Sequence, residues 1–379
     1  MSTEPVSAAA GGGHRDAWRV RLGPVRTASK RMLRRIARVP RTYSPFSRTR
    51  PLNLALQGGG AHGAFTWGVL DRLLEHNGFR MDGLSGTSAG AVNAVAVAAG
   101  MMEDGPNGAR AKLEDIWRAI ARKAASGSAI SSRLPAGWSG LSRTWSPYQF
   151  NPLDINPLRH ILRDRVDFER LRHDSPVRLF LAATEVSSGR ARIFRTEEVT
   201  EDCVLASTCL PNLFPAIKIG RFHYWDGGFS ANPDLVTLIS ETDANDTLLV
   251  QLTPQRDPAL PTTADEIAGN VNRIMFNQPL RREIEVIERS RRAPRPLPGF
   301  RGKAQRLQDH RFHLIDATRH TGQLDEQSKV LPDWDLLVHL RDAGREEADL
   351  WLRENRSAVG HKSSVDLYDK FFESRLPFD

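Results

Sequence analysis

Apolar residues near the start of the chain alternate between short runs and helical spacings. A buried strand is predicted at residues 52–57, where an apolar run ends abruptly at three glycines. A helix is predicted to follow, because apolar residues recur at helical spacing from Phe65 to Leu74. A second strand at 81–85 and a helix of small residues at 91–102 repeat this order. Alternation of strand and helix is typical of an α/β fold.

The remainder of the chain falls into parts that differ in composition and in predicted secondary structure. Most of the short strands are predicted before residue 253, and long charged helices with one further strand are predicted beyond it. Residues 126–157 are rich in Gly, Ser, Pro and aromatic residues, which indicates either a lid over an apolar cleft or an irregular loop packed on the core. The predicted strands lie at 177–184, 191–194, 247–252 and 311–315, and the predicted helices at 263–292 and 333–355.

The pentapeptide at residues 86–90 has the form G-x-S-x-G and lies at the second predicted strand-to-helix turn. This is the position of a nucleophile elbow, in which the serine adopts a strained backbone conformation. Gly86 and Gly90 would remove side chains that collide with neighbouring strands, and the following helix N-terminus would favour developing negative charge. An ordinary Gly/Ser turn is the alternative, but the structural context favours Ser88 as a nucleophile.

A glycine-rich loop at residues 58–63 follows the first strand and opens the first helix. Consecutive glycines allow backbone N–H groups to converge on one oxygen, as an oxyanion hole requires. Gly58, Gly60 and Gly63 also form the G-x-G-x-x-G pattern of dinucleotide-binding proteins, with Asp82 at the expected distance for a ribose-binding acid. That alternative explains neither the serine elbow nor the third motif, so we favour the oxyanion hole.

The third motif is Asp226-Gly227-Gly228. A serine hydroxyl is a weak nucleophile and needs a base within hydrogen-bonding reach. Asp226 can serve, because apolar neighbours such as Trp225 leave a carboxylate less well solvated and therefore more basic. Gly227 and Gly228 would allow a sharp turn beside Ser88. A lone Asp-Gly-Gly is more often only a turn. The interpretation of Asp226 as a catalytic base therefore depends on the presence of the other two motifs.

The three motifs, in this order, resemble the patatin-like phospholipase family, whose pattern is a glycine-rich oxyanion loop, G-x-S-x-G and D-G-[AG]. The stretch from Val204 through Pro211 to Asp226 is similar to the same family, and the resemblance covers about residues 52–255. It implies hydrolysis of a lipid or other lipophilic acyl ester by a dyad of Ser88 and Asp226. It also implies that neither a metal nor a cofactor takes part.

The resemblance further implies which N–H groups form the oxyanion hole. They belong to Gly59 and Gly60, with Gly58 or Ala61 as further donors. The family usually has Arg or Lys where this chain has His62. This difference argues against a phosphate-steering role for position 62. It does not affect the backbone N–H donors of the oxyanion hole.

A catalytic triad is an alternative to the dyad, because two histidines lie near the motifs and imidazole is the commonest general base. His62 lies in the glycine loop and His223 precedes Asp226 by three residues, and we interpret both as packing or surface residues. Cys203 and Cys209 are interpreted as structural residues on different faces of one helix. Two cysteines make neither a disulfide framework nor a metal site, which favours a reducing compartment.

Positive charge is concentrated in an N-terminal arm, residues 1–49. The first 50 residues hold 12 Lys and Arg against two acidic residues, whereas the rest holds 41 basic and 43 acidic residues. We therefore expect no nucleic-acid partner. Residues 25–39 can form a basic amphipathic helix that contacts an anionic membrane, and an unstructured tail is the alternative. Without a secretory signal or a transmembrane helix in the pattern, a cytoplasmic location with peripheral membrane contact is expected.

The sequence thus predicts a three-layer α/β/α fold with a mainly parallel sheet and a catalytic site at the carboxyl ends of the strands. Residues 50–255 are expected to form the catalytic domain, and residues 256–379 a mostly helical extension packed on it. An acyltransferase that uses the same dyad and a non-catalytic protein of lipid or granule surfaces remain alternative functions.

Overall fold

The computed structural model describes residues 49–126, 146–256, 259–295, 302–322, 324, 326–330 and 332–373. All of them belong to one compact unit. The basic helix predicted at 25–39 lies outside the described residues, and so does most of the lid predicted at 126–157. Both therefore stay predictions.

One sheet runs through the described part of the chain. Its strands are β1 (Arg50–Leu56), β2 (Phe79–Thr87), β3 (Arg178–Glu185), β4 (Ala191–Arg195), β5 (Ile217–Ile219), β6 (Phe222–Asp226), β7 (Asp246–Gln251) and β8 (Arg311–Asp316). Their order is β5-β6-β3-β2-β1-β7-β8, with β4 paired to β3. The five strands β1, β2, β3, β7 and β8 are parallel, and β4, β5 and β6 pair in antiparallel fashion. The predicted α/β fold with a mainly parallel sheet is confirmed.

Helices connect the strands and cover the sheet. Their bounds are α1 (Gly63–His76), α2 (Ala89–Ala125), α3 (Pro147–Phe150), α4 (Pro157–Arg165), α5 (Phe168–Asp174), α6 (Glu201–Ser207), α7 (Val236–Glu241), α8 (Ala264–Arg292), α9 (Lys303–Asp309), α10 (Thr318–Thr321) and α11 (Trp334–Asn355). None of the helices in the described ranges is both long enough and apolar enough to cross a membrane.

The sheet separates two apolar layers, because successive strand residues point to opposite faces. Leu54 and Leu56 belong to the cluster that includes α1, α2 and α11. Ala55, between them, belongs to the cluster that includes α7, α8 and α9. Helices therefore pack on both faces, which gives the three layers.

The helix predicted at 91–102 is the first part of α2. The range of α2 joins two helical stretches across a break, because Asp104 and Gly105 leave the helical conformation and Gly105 has φ +54°. Pro106 then begins a second helical stretch, a position where proline is tolerated. The first helical stretch therefore ends before Asp104, close to the predicted end at residue 102, and Gly100 packs closely against Gly108 across the break.

The C-terminal part of the chain also enters the sheet. β8 pairs in parallel with β7, and α11 packs against α1. At that contact a Cβ atom on Gly68 would overlap the carbonyl oxygen of Arg341, so the two helices approach closely. Residues beyond 255 are therefore part of the central sheet as well as a helical extension.

The register of β3 determines where the candidate site forms. Thr87, the last residue of β2, lies opposite Ala182, and Asp226, the last residue of β6, lies opposite Ala183. Two adjacent residues of β3 thus position the serine turn and the aspartate turn. Ser88 and Asp226, which are 138 positions apart in sequence, are brought together in this way.

Candidate active site

Ser88 lies between the end of β2 and the start of α2. Its backbone has φ 54° and ψ −122°, a left-handed conformation that side chains rarely adopt. A Cβ atom on Gly86 would lie 2.5 Å from the carbonyl oxygen of Gly90, and one on Gly90 would overlap the carbonyl oxygen of Leu56. The turn is therefore a strained strand-to-helix elbow that only glycine permits at its two flanks.

Two hydrogen bonds that no sequence motif indicated hold the elbow. The N–H of Ser88 donates to the hydroxyl of Ser207, at the end of α6, over 3.0 Å. The hydroxyl of Thr87 donates to the carbonyl oxygen of Ala231 over 2.7 Å. Ser207 and Thr87 are completely buried. The elbow is thus fixed from two sides by residues distant in sequence.

Asp226 is completely buried at the end of β6. Its N–H donates to the carbonyl oxygen of Cys209 over 2.7 Å, and its own carbonyl oxygen accepts from the Thr184 hydroxyl over 2.8 Å. Its carboxylate oxygen Oδ1 accepts the N–H of Gly228 over 2.8 Å. A Cβ atom on Gly227 would overlap the carbonyl oxygen of Ala182. The backbone on both sides of the carboxylate is therefore fixed.

The Ser88 hydroxyl interacts with the Asp226 carboxylate and lowers its pKa, but a larger effect opposes this. Burial raises the pKa of Asp226 to about 7, against smaller lowering contributions from the Gly228 N–H and from Ser88. Within the described residues Asp226 Oδ2 has no hydrogen bond of ordinary geometry. Such contacts are often long in free enzymes and shorten when substrate binds.

The glycine loop lies directly against Ser88. A Cβ atom on Gly58 would be 2.9 Å from the Cβ of Ser88 and 3.0 Å from the carbonyl oxygen of Thr87. Gly60 has φ +58°, and Gly63 packs against Ala89. The sequence motifs at 58–63 and 86–90 are therefore in contact.

The N–H groups of the glycine loop differ in whether they already donate a hydrogen bond within the protein. The N–H of Gly58 donates to Asn232 Oδ1 over 2.8 Å, so it is already occupied. No hydrogen bond of the described residues uses the N–H of Gly59 or Gly60. Ala61 is buried in the short 3-10 turn Gly60–His62. Gly59 and Gly60 therefore offer unused donors, and no hydrogen bond of the described residues uses the N–H of Ala61 either.

Neither histidine has the environment of a catalytic base. His62 is buried, and its Nε2 lies 2.7 Å from the hydroxyl of Ser328. Burial, and to a smaller extent Lys329, lower the pKa of His62 to about 4. His223 is exposed on β6 three residues before Asp226, so the two side chains point to opposite faces of the strand.

The other candidate residues have structural surroundings. Cys203 lies on α6, but Cys209 lies two residues beyond the end of that helix, so the expectation that both share one helix was wrong. Both are buried, free thiols whose pKa is raised by burial. Asp82 Oδ2 accepts the N–H groups of Asp243 and Ala244 at 2.6 and 2.9 Å. It is thus engaged away from the glycine loop, which argues against a dinucleotide site.

Residues 54–239 match the family model described as patatin-like phospholipase. These residues form a patatin-like phospholipase domain. A patatin-like phospholipase domain supports lipid acyl hydrolase activity and lipid substrates. The match contains the glycine loop from Gly58, the elbow at Ser88 and the turn at Asp226. Among the described residues, no group of His, Cys, Asp and Glu is arranged to hold a metal ion.

Two solved structures are similar to the chain that carries this patatin-like domain. VipD from Legionella pneumophila is 15% identical with a TM-score of 0.32, over 78% of this chain and 67% of VipD. ExoU from Pseudomonas aeruginosa, solved in complex with SpcU, is 16% identical with a TM-score of 0.32, over 81% of this chain. The chain spans about half the length of ExoU, 53%. Among curated proteins, none matches the chain.

Proposed function

We propose that the protein is a serine esterase that cleaves lipophilic acyl esters with Ser88 as nucleophile and Asp226 as base. The observation that carries the proposal is the pairing of a strained serine elbow with a completely buried carboxylate. The pKa of that carboxylate is raised to about 7 by burial, so it can accept a proton near neutral pH. A solvent-exposed aspartate would be a far weaker base.

The reaction is a two-step acyl transfer. Ser88 Oγ attacks the ester carbonyl carbon while its proton passes to the Asp226 carboxylate, and the unused N–H groups of Gly59 and Gly60 stabilise the oxyanion. Collapse of the tetrahedral intermediate expels the alcohol, which takes the proton from Asp226. Water then attacks the acyl-serine with Asp226 again as base, and the fatty acid leaves with Ser88 restored.

Two arrangements in the site support this assignment of roles. The Gly228 N–H bonded to Asp226 Oδ1 orients the carboxylate, while Oδ2 keeps its lone pairs for the serine proton. The N-terminus of α2 follows Ser88 directly, so its dipole favours negative charge at the reacting carbonyl. An acyltransferase would use the same groups with an alcohol or thiol in place of water.

The test compares wild type with Ser88→Ala on p-nitrophenyl esters and on phospholipids of different head groups. We expect the variant to lose hydrolysis and to keep its circular dichroism spectrum, since only one hydroxyl is removed. An organophosphonate should label wild type at Ser88. Labelling of another serine with full activity would contradict the proposal, and faster acyl capture by glycerol than by water would identify a transferase.

A further inference from the structure

The N-terminal half of α8 carries a stripe of exposed apolar side chains. Ile267, Val271, Ile274 and Met275 are each 40 to 48% exposed. Their spacing of four, three and one residues places them on one face of the helix. Single exposed apolar side chains are ordinary on protein surfaces, but a contiguous group of this kind marks an interaction site. We call these four residues the α8 stripe.

The opposite side of α8 packs on the body of the protein beside the dyad. The Phe276 ring packs against Gly228, and its centroid lies 5.0 Å from that of Phe229. Asn232 Nδ2 donates to the carbonyl oxygen of Phe276 over 3.0 Å. The α8 stripe therefore lies within one helical turn of a contact with the turn that contains Asp226.

Basic side chains continue the same face of α8. Arg282 and Arg289 follow Met275 at intervals of seven residues, and both are exposed. In the ranges that the structure describes, no salt bridge involves either of them, and the nearby Glu285 is half-buried. A heptad spacing keeps these residues on one side of a helix. The face thus passes from apolar to positively charged.

A second group of arginines adds to this positive charge. Burial, then Arg256 and Arg273, lower the pKa of Arg281, which means that three guanidinium groups lie close together. Arg281 donates to the carbonyl oxygen of Phe371, and Arg273 to that of Gln255. These partners are carbonyl oxygens. Glu285 is a nearby carboxylate that raises the pKa of Arg281, so its single negative charge offsets only part of the charge of the three guanidinium groups. The surface around the α8 stripe is complementary to an anionic ligand.

We propose that the α8 stripe, together with Arg282 and Arg289, binds the surface of an anionic lipid membrane. The apolar side chains enter the boundary between head groups and acyl chains, and the arginines contact the anionic head groups, as in interfacial amphipathic helices. The proposal rests on the proposed function, because the membrane would then present the substrate beside Ser88. This surface is distinct from residues 25–39.

The first test places a fluorescent probe on the stripe of the full-length protein. Cys203 and Cys209 are buried, so a cysteine introduced as Val271→Cys is the accessible thiol for labelling. The matched control is Arg353→Cys, an exposed position on α11. Phosphatidylcholine vesicles with and without phosphatidylserine, each carrying nitroxide-labelled lipid, are then added. We expect quenching at position 271 with phosphatidylserine and none at 353. A probe at 271 that stays in water would overturn the proposal.

The second test removes the stripe. The variant Ile267→Ser/Val271→Ser/Ile274→Ser/Met275→Ser is compared with Leu153→Ser/Ile155→Ser, whose side chains are also exposed and apolar but lie outside α8. We expect affinity for phosphatidylserine vesicles to fall at least about tenfold in the first variant only. Unchanged binding, an equal loss in the second variant, or a dimer that dissociates in the first variant would overturn the proposal.

A soluble short-chain ester separates this proposal from the proposed function. Turnover of that ester should be equal in wild type and in the stripe variant, because no stripe residue belongs to the catalytic machinery. A wild type that binds vesicles but does not hydrolyse the ester would contradict the proposed function and leave the membrane surface supported. If wild type hydrolyses the ester but the stripe variant binds vesicles normally, the membrane surface would be contradicted and the proposed function would stay supported.

Discussion

Asn232 Oδ1 accepts the N–H of Gly58 over 2.8 Å, a bond that joins the glycine loop to the turn after Asp226. Asn232 is completely buried, and its Nδ2 donates to the carbonyl oxygen of Phe276. Both ends of the amide are therefore used. Because Gly58 also lies against Ser88, Asn232 is placed to set the position of the oxyanion donors relative to the nucleophile.

Removing this amide should impair transition-state stabilisation more than substrate binding. For Asn232→Ala we expect kcat on a soluble ester to fall on the order of 10- to 100-fold with a small change in KM, because the glycine loop loses its anchor. Steady-state kinetics measure both constants. An unchanged kcat would show that the loop keeps its position without Asn232.

The control for Asn232 is a second buried asparagine far from the site. Asn53, on β1, is also completely buried, and its Nδ2 donates to the Thr242 hydroxyl over 2.7 Å. Asn53→Ala should lower the free energy of unfolding by about 1–3 kcal/mol, as a lost buried hydrogen bond does, and leave kcat unchanged. A similar loss of kcat in both variants would mean that the effect on Asn232→Ala is only structural.

The glycines of the elbow and those of open loops should respond differently to alanine. A Cβ atom on Gly90 would overlap the carbonyl oxygen of Leu56, so Gly90→Ala should lower the free energy of unfolding by more than about 3 kcal/mol. Gly189 has φ +68° but no neighbour within 4 Å of an added Cβ, so Gly189→Ala should cost about 1 kcal/mol. Urea denaturation measures both, and equal losses would mean that steric overlap does not determine the sequence at position 90.

The sequence predicted those parts of the site that lie in short, local patterns. Glycines around Ser88 and after Asp226 are required by the backbone conformation of the two turns. The motifs were therefore sufficient to predict these turns. The positions of β1, β2 and β3 followed from apolar runs for the same reason. Local requirements are visible in one chain because each involves only a few consecutive residues.

The parts that were missed depend on contacts between distant residues. Nothing near Ser207 in the sequence indicates that its hydroxyl would accept the N–H of Ser88, 119 positions away. Likewise, the N–H of Gly58 belongs to the glycine motif, but its acceptor Asn232 is 174 positions away. The pairing of Thr87 and Asp226 with adjacent residues of β3 follows from the sheet order, which periodicity alone does not define.

Burial of Asp226 should destabilise the protein at neutral pH. Its pKa in the folded state is raised to about 7 from 3.8, so between these values the folded state binds more protons than the unfolded state. The contribution of Asp226 to stability is therefore lost as pH rises through this range. Asp226→Asn should raise the free energy of unfolding at pH 8, on the order of 1–4 kcal/mol, and have little effect at pH 4.

The comparison of Asp226→Asn with wild type is needed because other carboxyl groups behave similarly. Burial also raises the pKa of Asp234 to about 6 and that of Glu283 to about 7. Their contributions are common to both proteins and cancel in the difference. A variant that is less stable than wild type at pH 8 would mean that the carboxylate is better accommodated than its burial indicates.

The decisive kinetic comparison separates a Ser–Asp dyad from a triad. If Asp226 is the base, Asp226→Asn should lower kcat by a factor on the order of 10²–10⁴, because the amide has no basic oxygen. His62→Ala and His223→Ala should change kcat only slightly. His62 has a pKa lowered to about 4 and is hydrogen-bonded to Ser328, and His223 points to the other face of β6.

The pH profile alone does not distinguish a dyad from a triad. A base with a pKa of about 7 makes kcat/KM fall below that pH whether the base is this aspartate or a histidine. The variants do, because a collapse of kcat in either histidine variant with an intact circular dichroism spectrum would make imidazole the base. Asp226 would then orient that imidazole instead of accepting the serine proton.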